Sequence, residues 1–310
     1  MNYYDALVAQ ATPVEVVPSE TSYFSNPGVG LDPRLFRDNK LIPAVRSSIL
    51  RILSEHLRKH YYNPDAYLHV WLAGSAVSYQ WAGARSPADL DCLIGVNYLR
   101  FRQTNPEYKA LSDQQIADMF NEDFRKELHP ITEEFLNAYE LTFYVNVKSD
   151  IRSIKPYAAY SLTNDDWTVS PELRKAPVNK AWDQTVSRDT SFTMEILDRY
   201  TKALNTIGAA NNDSARRNAE AALKLAVEQG SALFDTIHQA RKTAFSPSGQ
   251  GYADVANYRW QSGKSAGTVQ ALKQLKELNT KSRKEFEAST YGMELPDANT
   301  LVRRALSAKR

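Results

Sequence analysis

Only one cysteine, Cys92, occurs in the 310 residues, so no disulfide can form within the chain. That excludes the stapled scaffolds of small secreted domains and favours a reducing compartment. No apolar run approaches the roughly 20 residues that a membrane span needs. The start, M-N-Y-Y-D-A-L-V, lacks the basic end and long apolar stretch of a secretory signal, which makes a cytoplasmic location the expectation. A formal charge of only +2 excludes a chain that is polycationic throughout. There is no P-loop pattern G-x-x-x-x-G-K-[ST], no Cys/His set for zinc and no Ser/His/Asp arrangement. Internal repeats and low-complexity tracts are absent too. What is present is an ordinary folding composition, 43% hydrophobic and 24% charged, long enough for about two domains.

The densest chemistry lies between Tyr67 and Val96. An apolar run, Tyr67 to Ala73, stops on Gly74-Ser75, and a second run, Cys92 to Val96, follows Asp89-Leu90-Asp91. On a strand, residues i and i+2 face the same side. Asp89 and Asp91 are then neighbours, while Leu90 and Cys92 point into the core. Two carboxylates held that close repel unless a cation joins them, and hard oxygen ligands suit Mg²⁺ or Mn²⁺. Gly74 lets a phosphate approach the backbone, and Ser75 adds a hydroxyl and an N–H. Cys92, on the buried side, reads as a small core residue.

Ala73-Gly74-Ser75, then Asp89-Leu90-Asp91-Cys92, then Tyr139-Glu140-Leu141 resembles, in order, the signature of the DNA polymerase β-type nucleotidyltransferase superfamily. The resemblance covers about Val45 to Val147. It departs from the family in a longer gap between Ser75 and Asp89, and in Glu rather than Asp as the third acid. What it implies is an α+β fold: a short mixed sheet flanked by helices, followed by an all-helical domain, with the cleft between them. The implied activity is attack of an acceptor hydroxyl on the α-phosphate of a nucleoside triphosphate such as ATP, releasing pyrophosphate. Asp89 and Asp91 would hold the triphosphate's metal and bridge to a second, and Glu140 would complete that second site. RNA or tRNA ends, a nucleotide, a protein hydroxyl and a small molecule all remain open as acceptors. A catalytically silent module that binds nucleotide or RNA is the alternative. The oligomeric state is not legible.

Along the chain, residues 1–40, with Pro13, Pro18, Pro27 and Pro33, read as an extended arm. Residues 41–178 read as the catalytic domain. Within it, Val45, Ile49, Ile52, Leu53 and Leu57 form a helical stripe, and Asn97 to Pro106 reads as a polar crossing. Ser112 caps a helix buried through Ile116, Met119, Phe120, Phe124 and Leu128; a short helix to Asn137 and a strand from Glu140 follow. Residues 179–310 read as helical, with a helix capped by Ser191 and stopped by Gly208, one from Asn211 to about Phe245, and one from about Ser265. The terminal L-V-R-R-A-L-S-A-K-R is basic.

Charge is uneven. Between Arg241 and Lys284 nine basic residues face two acidic ones, a surplus of seven, so the remainder is net acidic. A basic helical domain beside acidic metal ligands would suit a polyanion. Arg241, Lys242, Arg259 and Lys264 are the candidate triphosphate contacts, with Tyr252, Tyr258 and Trp260 available to stack on a base. Lys273, Lys276 and Lys281 read as a solvated helix face.

Overall fold

The structure, a computed structural model, describes residues 2–19, 28–83, 87–148 and 150–292. In chain order it starts with helix α1 (Tyr3–Gln10), closed by a capping box between Asn2 and Asp5. A two-stranded hairpin follows, β1 (Phe36–Arg37) and β2 (Lys40–Leu41). Its two turn residues, Asp38 and Asn39, both have positive φ (50° and 59°), as a tight hairpin with right-handed twist requires. Next come α2 (Pro43–His60), β3 (Leu68–Ala73), β4 (Ala88–Val96), α3 (Tyr98–Thr104), α4 (Asp113–Asp123) and β5 (Tyr139–Asn146). Strands β6 (Ala159–Ser161) and β7 (Asp166–Val169) precede four helices: α5 (Lys180–Ala209), α6 (Asp213–Ala244), α7 (Val255–Ser265) and α8 (Thr268–Tyr291). The class is α+β, and no helix of the described residues is long and apolar enough to cross a membrane.

Two compact units divide the chain. The first takes the described residues of Tyr23–Lys175 and the short segment Phe245–Gly251. It holds a five-stranded mixed sheet of order β5-β4-β3-β6-β7, in which only β4 and β5 run parallel. A parallel pair needs a crossover, and α3 and α4 supply it. The strands alternate as two-sided elements must. Val70, Leu72, Leu90, Cys92, Ile94, Leu141, Phe143 and Val145 share one buried cluster with Val45, Ile49, Leu53 and Leu57 of α2 and with Ile116, Met119 and Phe120 of α4. The opposite face carries a smaller apolar cluster, Trp71, Ala73, Leu93, Ile151 and Ala159. Strand β5 is a sheet edge, and Asn121 of α4 meets its open backbone, accepting from Val145 N at 2.6 Å and donating to Val145 O at 3.3 Å.

The second unit takes α1 with Ala176–Ala244 and the described residues from Tyr252 onward. Its core joins Leu7 and Val14 to Ile196, Tyr200, Leu223, Val227 and Leu275. Gly230 lies where α6 meets α8: a β-carbon there would come within 2.3 Å of Leu275 Cδ1. The glycine that weakens α6 as an isolated helix is what lets the two helices approach.

Several elements differ from the sequence reading. Residues 3–10 are helical rather than an extended arm, because Ala6 and Leu7 bury a face against distant helices. Residues 11–19 form no helix or strand; Val14 is buried and Ser19 N bonds Ser265 O at 2.9 Å. The polar crossing contains α3, capped by Asn97 and anchored by Tyr98 and Phe101. No helix runs to Asn137; a 3₁₀ turn at His129–Ile131 gives way to Leu136 and Asn137 at positive φ. Helix α5 begins at Lys180 with Asn179 as its cap, well before Ser191, and passes through Gly208. Residues 255–265, to which the sequence reading assigned no element, form α7. The basic end beyond Gly292 lies outside the described residues.

Candidate active site

Asp89 and Asp91 stand two apart on β4 and share a face. The parallel register pairs Asp89 with Glu140 and Asp91 with Thr142. In-register partners on neighbouring strands point to the same side, so all three carboxylates lie on the face opposite the helical core. Thr142 Oγ1 donates to Asp91 Oδ1 at 3.3 Å. Glu140 Oε1 is bonded to His129 Nε2 at 3.0 Å, and His129 Nδ1 lies 3.3 Å from Glu133 Oε1. The histidine thus bridges two acids.

Gly74 closes β3 at φ +92°, in the left-handed region that L side chains avoid. Ala73 is the antiparallel partner of Asp91, which brings the turn onto the second aspartate. A β-carbon on Gly74 would sit 2.9 Å from Asp91 Oδ2. The chain then folds into a turn in which Ser78 Oγ donates to Ser75 O at 2.8 Å, and a 3₁₀ segment, Tyr79–Gly83, follows. On the other side of β4, burial, with a smaller push from Asp91, raises the Cys92 thiol well above its usual range. Cys92 is a core residue, as its alternation with the aspartates demands.

The start of β5 is pinned by a group that sequence reading missed. Tyr139, the residue before Glu140, is buried and donates its hydroxyl to Asp32 Oδ2 at 2.5 Å. Arg34 forks onto the same carboxylate, with Nε at 2.9 Å and Nη2 at 2.7 Å, and its guanidinium lies 4.9 Å from the Tyr139 ring centre. Burial pushes the Asp32 carboxyl up, but the hydrogen bonds from Arg34 and Tyr139 outweigh it and hold it below its ordinary value. The D-x-R spacing is the only trace of this in the sequence, and it has no meaning until Tyr139 is beside it.

The three acids share a face of the sheet but do not form a close three-ligand group. Among the described residues, the only His/Cys/Asp/Glu group with three ligand atoms all within 4.8 Å of one another is His56, His60 and Glu127. For the acidic face, the fit to a hard divalent ion therefore rests on donor chemistry: three carboxylates and a hydroxyl on adjacent strands.

The basic candidates belong to the helical unit. Arg259 of α7 is engaged by Asp189 of α5, through Nε to Oδ2 and through Nη2 to Oδ1 at 2.7 Å. The Arg241 guanidinium lies 5.2 Å from the Trp260 ring centre, and Trp260 packs on Phe234 and His238. Tyr258 packs on Trp182 and bonds Asp183, and Tyr252 is buried. Tyr258 and Trp260 therefore join helices. Lys242 is exposed and Lys264 half-buried on the last turn of α7. Lys273 and Lys276 pair with Glu277 and Asp235, as a solvated face does. No protein-family model, curated protein or solved structure matches the chain.

Proposed function

We propose that the protein is a metal-dependent nucleotidyltransferase of the DNA polymerase β type, moving a nucleoside monophosphate from a triphosphate to an acceptor hydroxyl. The reading is carried by one observation: Asp89 and Glu140 are in register on parallel strands, with Asp91 on the same face beside the positive-φ turn at Gly74. Asp89, Asp91 and Glu140 would hold Mg²⁺ or Mn²⁺. Such ions, when bound about 4 Å apart, stabilise both the attacking and leaving oxygens. Thr142 would orient Asp91 and His129 would orient Glu140, which would take the acceptor's proton. Gly74 keeps the backbone low beside Asp91 so that phosphate oxygens can reach it. The rest of the catalysis is positioning and charge neutralisation. RNA, a nucleotide, a protein hydroxyl or a small molecule could serve as acceptor.

A second reading, a silent module that binds nucleotide or RNA, is favoured by the His129–Glu140 bond, which engages the third acid. One experiment separates the two. The full chain is incubated with each labelled triphosphate and Mg²⁺ or Mn²⁺ while pyrophosphate and the mass of labelled product are followed. Binding without pyrophosphate release, across all four triphosphates and a panel of acceptors, would favour the silent module.

A further inference from the structure

On the helical side of the sheet, three other side chains converge. His56 and His60 are four apart on α2 and therefore stack on one face of it, their ring centres 4.9 Å apart. Glu127 reaches them from a π-helical turn, Phe124–Leu128, that extends α4. Phe124 and Leu128 are buried and anchor that turn, and the Phe124 ring lies 5.8 Å from His56. Turns of this kind rotate the residues after them out of the α-helical register and recur at functional sites. Here the rotation leaves Glu127 Oε2 3.0 Å from His60 Nε2.

We propose that His56, His60 and Glu127 bind one Zn²⁺-class transition-metal ion, at a site separate from the acidic face and independent of the nucleotidyltransferase reading. One ligand atom from each lies within 4.8 Å of the other two. Bonds of about 2.0–2.2 Å at tetrahedral angles put ligand atoms roughly 3.4 Å apart, so small side-chain rotations close the set. Two imidazoles and one carboxylate with a fourth position open form a zinc-type donor set, whereas Mg²⁺ prefers oxygen alone. His60 is the last residue of α2, where the carbonyl end of the helix favours positive charge. His56 is a buried, packed anchor, while the His60 and Glu127 side chains, 30% and 44% exposed, give the ion a way in.

The test uses the full chain freed of metal and titrated with Co²⁺, whose visible absorption reports a low-coordinate nitrogen and oxygen site. Expected is a band that saturates at one equivalent and is displaced by one equivalent of Zn²⁺. His60→Asn and Glu127→Gln, both at partly exposed positions and checked for fold by circular dichroism, should each weaken Co²⁺ binding. The loss should be at least the roughly 10–100-fold that removal of an outer-shell partner costs. Asp89→Asn should leave the band intact. A band that fails to saturate at one equivalent, or that survives both substitutions, would overturn the proposal.

Discussion

Gly74 and Asp91 are packed so closely that one added carbon would bring the two into collision, 2.9 Å from Oδ2. Two costs fall on Gly74→Ala. The φ of +92° penalises any L side chain by about 1–2 kcal/mol, and the methyl must displace the carboxylate. The expected outcome is a loss of about 1–3 kcal/mol in denaturant unfolding together with a larger loss of turnover than that destabilisation explains. Unchanged turnover in Gly74→Ala would mean that Asp91 need not keep its place.

Asp89→Asn and Asp91→Asn should each abolish metal-dependent nucleotide transfer while leaving the fold intact or slightly firmer, since removing one of two like charges relieves repulsion. Pyrophosphate release and thermal melting, measured on the same samples, check both halves. Near-normal turnover with Mg²⁺ in either variant would remove these residues from the ligand set.

Arg259 and Asp189 provide a test of the basic segment. Because both are largely buried and fork onto each other, Arg259→Ala and Asp189→Asn should lower stability alike, by about 1.5–3 kcal/mol for lost charged hydrogen bonds. A phosphate contact would behave differently: Arg259→Ala would cut turnover and Asp189→Asn would not. Lys242→Ala and Lys264→Ala then become the cleaner probes of a triphosphate clamp. Lys273→Ala and Lys276→Ala, whose partners are exposed surface acids, should stay within about 0.5 kcal/mol.

The Asp32 carboxylate should make stability depend on acid. Its folded pKa lies below the ordinary 3.8, because the bonds from Arg34 and Tyr139 outweigh burial. The stabilisation it contributes is therefore complete above 3.8 and drains away as pH falls below that value towards the folded pKa. Asp32→Asn should cost about 1–3 kcal/mol at neutral pH, and its deficit relative to the native chain should shrink as pH drops through that window. Urea midpoints at a series of pH values measure this, and a constant gap would show that the carboxylate is not the source.

Gly230→Ala is a test of sign. Helix propensity alone predicts a gain of about 1 kcal/mol. The 2.3 Å approach to Leu275 Cδ1 predicts a loss of about 1–3 kcal/mol from overpacking between α6 and α8. Unfolding in denaturant decides between them, and destabilisation is expected.

What could be read from the chain follows from how local each signal is. Val45, Ile49, Leu53 and Leu57 repeat every four positions and mark α2 without help from elsewhere, as Ile116, Met119 and Phe120 mark α4. Strands β3, β4 and β5 stand out as apolar runs, and the alternation around Leu90 and Cys92 separates the acids from the core. Helix α1 was hidden because its buried face is short and its partners are far along the chain. The early turns of α5 were hidden because Lys180 to Thr190 contains no fully buried residue, so no stripe announces them. Arg259 reads as a free cation until Asp189, 70 positions away, is beside it. The His56, His60 and Glu127 group needed the π-helical turn, although the H-x-x-x-H spacing on a predicted helix was a visible half of it.

Among the described residues, parts of the helical unit lie on both sides of the sheet unit along the chain. Tyr3 donates to Asn279 across 276 positions, and Tyr200 to Thr12 O across 188. On a ribosome, α1 therefore emerges long before any of its partners exists. At about 5–20 residues per second, the stretch from Gln10 to Lys180 takes roughly 10–30 s to synthesise. Nearly all of the sheet unit emerges within that interval, while Leu7 still has no helix to bury it. The helical core therefore cannot be completed until α5 to α8 have been made: Leu7 must wait for partners encoded far later in the chain.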